Sequence, residues 1–83
     1  MATVVPDVSR TATVVEVRAH DAPGLLHRIG HALERAGASV RSARVSTLGA
    51  DAVDAFYVVG EDSAPLPEPH AARVAAAVQK ALA

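Results

Sequence analysis

Four residues at the start of a predicted helix could either turn the chain or open a notch for a ligand. They lie in the stretch HDAPGLLHRIG, residues 20–30. Gly24, Leu25 and Leu26 would offer backbone N–H groups at a helix N-terminus, where a carboxylate binds favourably. Glycine lets a ligand approach the backbone closely, and Asp21 could accept a hydrogen bond from an ammonium group. These residue types are compatible with a small notch at the start of the helix in which something could bind.

The same residues have a purely structural interpretation. Asp21 is a residue type that caps helices, and Pro23 suits an early helical position. The Pro-Gly pair would then only turn the chain. On residue types alone, the turn and the notch both remain open.

The four histidines raise the question of a metal site. His27 and His31 are four residues apart on one helix face, but the sequence HRIGH lacks the glutamate of the zinc-protease motif. His20 and His70 belong to other predicted elements, so we expect a solvated helix face, no metal and no cofactor. The dipeptide His20-Asp21 is also found in HD hydrolases, but it stands without the further ligands that those enzymes need.

Composition limits the possible partners and compartments. The chain has 83 residues, 51% hydrophobic and 2% aromatic, with a formal net charge of −1 and no cysteine. One small aliphatic core fits this length. The sequence has no basic patch interleaved with aromatic residues, the pattern that would indicate binding to nucleic acid. It also has no long apolar run and no leader, the patterns that would indicate a membrane span or secretion. We therefore expect a cytoplasmic domain that binds neither nucleic acid nor membrane.

Hydrophobic periodicity predicts four strands and two helices. The predicted strands cover residues 2–5, 11–19, 39–48 and 52–59, and the second helix covers 70–82 after a proline-rich loop. The first helix has an apolar stripe of Leu25, Leu26, Ile29, Leu33 and Ala36 and ends at Gly37. This order fits an α+β, ferredoxin-like plan with both helices on one face of a four-stranded antiparallel sheet. Since no strand follows the second helix, residues 2–8 are predicted to fill the vacant edge through a turn at residues 6–10.

Alternation within the strands predicts which side chains face the core. Val15, Val17 and Ala19 share one face of the first long strand, and a bulge is needed between Val40 and Ala43. In the last strand Asp54 is expected to face outward. With Asp54 outward, Val53, Ala55, Tyr57 and Val59 are predicted to face the core. Val14, Phe56 and Val58 would then form an apolar patch on the outward face for a partner.

Residues 16–59 resemble an ACT domain, a small regulatory module of amino-acid metabolism. The signature D-x-P-G-L-L appears as Asp21, Pro23, Gly24, Leu25 and Leu26. The segments VRSARVSTLG and VDAFYV further resemble the C-terminal ACT domains of the protein-PII uridylyltransferase family. Ala22 departs from that family, which often carries arginine there.

The resemblance implies one ACT domain over residues 1–83, in which 1–10 form an N-terminal strand and turn and 11–83 form the core. It implies an amino-acid sensor, with glutamine as the suspected ligand, that acts in nitrogen regulation and pairs with a second copy or a sibling domain. The implied ligand-binding residues are His20, Asp21, Ala22, Pro23, Gly24, Leu25, Leu26 and Ser39. No catalytic residue is implied, because the nucleotidyltransferase motifs of the family are absent from the sequence.

The alternative function is a structural pairing module with an empty notch. A small acylphosphatase-like enzyme is disfavoured, because that chemistry needs an arginine in the loop after the first long strand and this loop has none.

Overall fold

Six elements build one layered α+β domain. The computed structural model describes residues 1–5, 10–20 and 22–82. In chain order the elements are β1 (Ala2–Val5), β2 (Thr13–His20), α1 (Leu25–Arg35), β3 (Ser39–Leu48), β4 (Asp51–Val59) and α2 (Glu68–Ala81). The strands form one antiparallel sheet in the order β1-β2-β4-β3. The predicted ferredoxin-like fold is therefore confirmed.

The N-terminal strand takes an edge of the sheet. Ala2 is paired with Val17 and Val5 with Val14, so β1 runs antiparallel to β2 as predicted. The backbone N–H of Ala2 also donates a 2.8 Å hydrogen bond to Oε1 of Gln79, which ties β1 to α2. Residues 6–8 of the predicted strand, and most of its turn, lie outside the described residues.

One apolar cluster lies between the sheet and the two helices. Its members are valines, leucines, an isoleucine, alanines and the one phenylalanine: Val15, Val17, Leu25, Ile29, Leu33, Ala38, Ala52, Phe56, Val58, Leu66, Ala71, Val74 and Val78. Leu26, which periodicity places on the buried stripe of α1, is 48% exposed. Neither helix of the described ranges is long and apolar enough to cross a membrane.

The predicted orientation of β4 is wrong. Phe56 is paired with Val15 and Asp54 with Val17, so both face the helices together with the core side chains of β2. Asp54 is only 1% exposed, whereas Tyr57 is half-buried on the face without helices. The predicted outward patch of Val14, Phe56 and Val58 therefore does not exist.

Two local predictions have clear outcomes. The pairing of β3 with β4 shifts between Val40 and Ser42, which confirms the predicted bulge. Helix α2 begins at Glu68, two residues before the predicted start, with Pro69 in its first turn. Proline is tolerated there because the first helical N–H groups have no partner within the helix.

Candidate functional site

The start of α1 is formed by a glycine in the left-handed conformation. Helix α1 begins at Leu25, and its N-cap residue Gly24 has φ +77° and makes no side-chain capping bond. Pro23 precedes this cap, so its predicted place inside the helix is wrong. The predicted roles of Asp21, as a cap or as an acceptor for an ammonium group, concern a residue outside the described ones.

Two of the three predicted N–H groups donate to no residue that the structure describes. The N–H of Leu25 donates to the carbonyl of Ala22 at 3.1 Å, so it is used within the turn. Among the described residues, the N–H groups of Gly24 and Leu26 donate no hydrogen bond. A Cβ at Gly24 would meet no atom within 4 Å, so the space in front of this turn is open.

Charged side chains surround the end of the sheet from which α1 departs. His20, the last residue of β2, is paired with Asp51, the first residue of β4. The Nδ1 atom of His20 lies 3.4 Å from a carboxylate oxygen of Asp51, and Nε of Arg18 lies 4.0 Å from the other. The predicted site residue His20 therefore stands beside an acidic group and is exposed.

Ser39 lies at the opposite end of the sheet. It is paired with Val59, whereas His20 and Leu48 are both paired with Asp51. Eight residue steps along β4 separate the two ends, or about 25 Å. One copy of the chain therefore does not bring Ser39 to the other residues that the resemblance implies for the ligand site, which lie around the start of α1.

Strand β3 forms the other edge of the sheet and is exposed along its whole length. All ten of its residues are exposed. Val45, on the face that the helices cover elsewhere, is 56% exposed, and Leu48 is 63% exposed. The helix layer therefore does not cover this edge. The sequence pattern places β3 correctly but does not reveal that its apolar side chains stay uncovered.

The predicted histidine pair is brought together without further metal ligands. The rings of His27 and His31 are stacked, with centroids 6.4 Å apart and planes 18° from parallel. Within residues 1–5, 10–20 and 22–82, no group of three His, Cys, Asp or Glu side chains could hold a metal ion.

A family model and several known enzymes match most of the chain. The family model described as "ACT domain" matches residues 13–80. A bifunctional uridylyltransferase/uridylyl-removing enzyme of Streptomyces coelicolor is 62% identical over 80 residues, which cover 96% of this chain and 10% of that enzyme. Enzymes with the same name from Pseudomonas putida and Phenylobacterium zucineum are 37% and 45% identical over 67 and 60 residues.

A solved structure has the same fold. The crystal structure of a protein from Galdieria sulphuraria, described as an unknown protein, superposes with a TM-score of 0.68 at 27% sequence identity. The match covers 89% of this chain and 40% of that one. The chain thus spans only about a tenth of the uridylyltransferase relatives, and less than half of this structural neighbour.

Proposed function

The chain belongs to the ACT domain family, and we propose that it is the amino-acid-sensing regulatory domain of a PII-protein uridylyltransferase, with glutamine as its ligand. The observation that carries the proposal is the open turn at Gly24, a helix N-terminus where the N–H groups of Gly24 and Leu26 donate to no described residue. The similar enzymes are named for attaching and removing uridylyl groups. In the proposal this domain reports nitrogen status to such catalytic domains and performs no chemistry itself.

The chemistry of the turn suits one end of an amino acid. The N–H groups of Gly24 and Leu26 would donate to the α-carboxylate, and the positive end of the helix dipole would add to the attraction. Asp21 is the residue that the sequence predicts as the acceptor for the ammonium group. Ala22 and Pro23 would form the wall of the turn, and His20 would stand at its edge.

A second copy would supply the missing serine. If two β3 strands pair antiparallel, Ser39 of the second copy comes to the Leu48 end of the first, because antiparallel neighbours run in opposite directions. The first copy's α1 begins at that end of the sheet. Pairing and ligand binding would then depend on each other, which is how a ligand can change the state of an assembly.

A structural pairing module is the second candidate, and the exposure of β3 favours it. A ten-residue edge strand with uncovered apolar side chains is a template for another strand. In this alternative, two copies or a sibling domain pair through β3 while the turn at Gly24 stays empty.

Titration with amino acids tests the sensor proposal. We expect L-glutamine at millimolar concentration to shift the backbone NMR signals of Gly24, Leu26 and Ser39, and D-glutamine to shift them far less. The variant G24A should weaken binding about ten-fold, because its Cβ intrudes where the carboxylate would approach. The variant G30A is the control for added volume, since Gly30 also has open space around its Cβ but lies within α1. The variant G49A is the control for backbone strain, since Gly49 also has a positive φ and open space at its Cβ. If no L-amino acid shifts these signals, the sensor proposal is wrong.

Sedimentation equilibrium tests the pairing proposal. We expect the chain to form dimers and the variant V45K to dissociate more readily, because a charge on the open apolar edge disfavours burial of that edge. V53K, on the face of the sheet without helices, is the control. A chain that stays monomeric with and without glutamine would contradict both candidates.

A further inference from the structure

A basic groove runs between the outer faces of α1 and α2. The open space between the two helices amounts to about 570 Å³. Arg28, His31 and Arg35 line it from α1, and Lys80 lines it from α2. The remaining lining residues are alanines, two from each helix or its end, so between the charged residues the groove presents only methyl side chains. This groove lies on the helix layer, apart from the turn at Gly24 and from the β3 edge.

Positive charge is concentrated in this groove beyond what the composition suggests. The chain has 8 Lys and Arg residues and a formal net charge of −1, yet three of those cations line one groove. None of the acidic residues that the structure describes lines it. In the part of the chain that the structure describes, Arg28, Arg35 and Lys80 belong to no ion pair. Their positive charges are therefore available to attract an anionic partner.

The spacing of the cations fits an elongated anionic partner better than one phosphate group. Arg28 and Arg35 are seven residues apart on one helix, or about 10 Å along its axis. A helix N-terminus, which would offer N–H groups to a phosphate, does not line the groove, because α1 begins before it at Leu25. Carboxylates two turns apart on another helix have the same spacing of about 10 Å.

From this geometry we infer that the groove docks an acidic helical segment of another polypeptide. Glutamates or aspartates two turns apart on that segment contact Arg28 and Arg35, and Lys80 contacts it from the other side. The alanine floor lets the docked helix approach α1 and α2 closely. The charge complementarity of the groove sets the orientation and speeds the association of the segment.

A designed peptide tests this inference independently of glutamine binding and of pairing through β3. The probe is an alanine-rich helical peptide with glutamates two turns apart on one face, and its matched control carries glutamines instead. We expect the glutamate peptide to shift the NMR signals of residues 28–36 and 77–81, and the glutamine peptide to leave them unchanged. Raising the salt concentration should weaken the binding, because the contacting charges are exposed.

Charge-removing variants locate the contact. R28Q, R35Q and K80Q should each weaken peptide binding about two- to five-fold, as expected for exposed ion pairs. R10Q removes one positive charge at an exposed residue before β2 and should leave binding unchanged. The inference is overturned if the glutamine peptide binds equally well, if R10Q weakens binding as much as R28Q, or if pyrophosphate binds the same residues more tightly than the peptide does.

Discussion

The imidazole Nε2 of His70 lies 2.8 Å from the carbonyl oxygen of Ala36 and donates a hydrogen bond to it. His70 lies in the first turn of α2, and Ala36 caps the C-terminus of α1. The last carbonyl groups of a helix have no partner within that helix. This contact therefore satisfies one end of α1 with a side chain of α2 and fixes how the two helices meet.

Replacing His70 tests that contact. H70A should lower the free energy of unfolding by about 1 kcal/mol, because a partly buried hydrogen bond is lost. H27A is the control: His27 is exposed on α1, and alanine favours the helix. Urea unfolding measures both variants. An equal loss for H27A would mean that the His70 contact adds nothing specific.

Gly37, which follows the end of α1, should resist substitution for two separable reasons. Its φ is +83°, and a Cβ there would lie 3.3 Å from Nε2 of His70. G37A should therefore lower stability by about 1–2 kcal/mol through backbone strain, plus a further loss from crowding His70. G49A reports the strain alone, since Gly49 has φ +63° and open space at its Cβ.

Combining variants isolates the crowding. In the H70A background, G37A should cost no more than G49A does, because the crowded ring is gone. A double-mutant cycle measured by urea unfolding gives this coupling. Additive losses would show that His70 and a side chain at residue 37 do not interact.

Thr13 should anchor the proline-rich loop to the sheet. The N–H of Leu66 donates a 2.8 Å hydrogen bond to Oγ1 of Thr13, and both residues are buried. T13V keeps the shape but leaves that N–H without an acceptor, so stability should fall by about 1–3 kcal/mol. T13S keeps the hydroxyl and should lose less in thermal unfolding. The exposed Thr3 provides the neutral control T3V.

Gln79 should slow amide exchange at the N-terminal end of β1. Its Oε1 accepts the N–H of Ala2, and the contact is exposed. Q79M should therefore leave global stability nearly unchanged while the Ala2 amide exchanges with solvent several-fold faster, because local opening becomes easier. Q79E keeps the acceptor and should preserve the slow exchange. Unchanged exchange in Q79M would mean that β1 is held by its pairing with β2 alone.

Periodicity predicted the order of the elements but not the orientation of β4. Apolar residues occupy both alternating sets of that strand, so the position of Asp54 alone decided the prediction. Asp54 is nevertheless buried, because the strand must present Phe56 and Val58 to the same face as Val15. A charged residue marks the solvent side of a strand only when tertiary pairing does not override it.

The separation of Ser39 from the start of α1 follows from topology. Strands β2 and β3 run parallel to each other, since both are antiparallel to β4. The end of β2 and the beginning of β3 must therefore lie at opposite ends of the sheet, with α1 carrying the chain back between them. The predicted order of elements already implied that Ser39 and the start of α1 lie at opposite ends of the sheet. In contrast, the basic groove depends on how the two helices pack, which no local pattern encodes.

The unequal edges of the sheet limit how many copies could join. The β1 edge is four residues long, and its Ala2 N–H is already bonded to Gln79. The β3 edge is ten residues long and open. Two copies joined through β3 would each present only the short edge outward, so growth by strand addition would stop at two. In a pair joined through β3, the difference between the two edges would therefore prevent the growth of fibres.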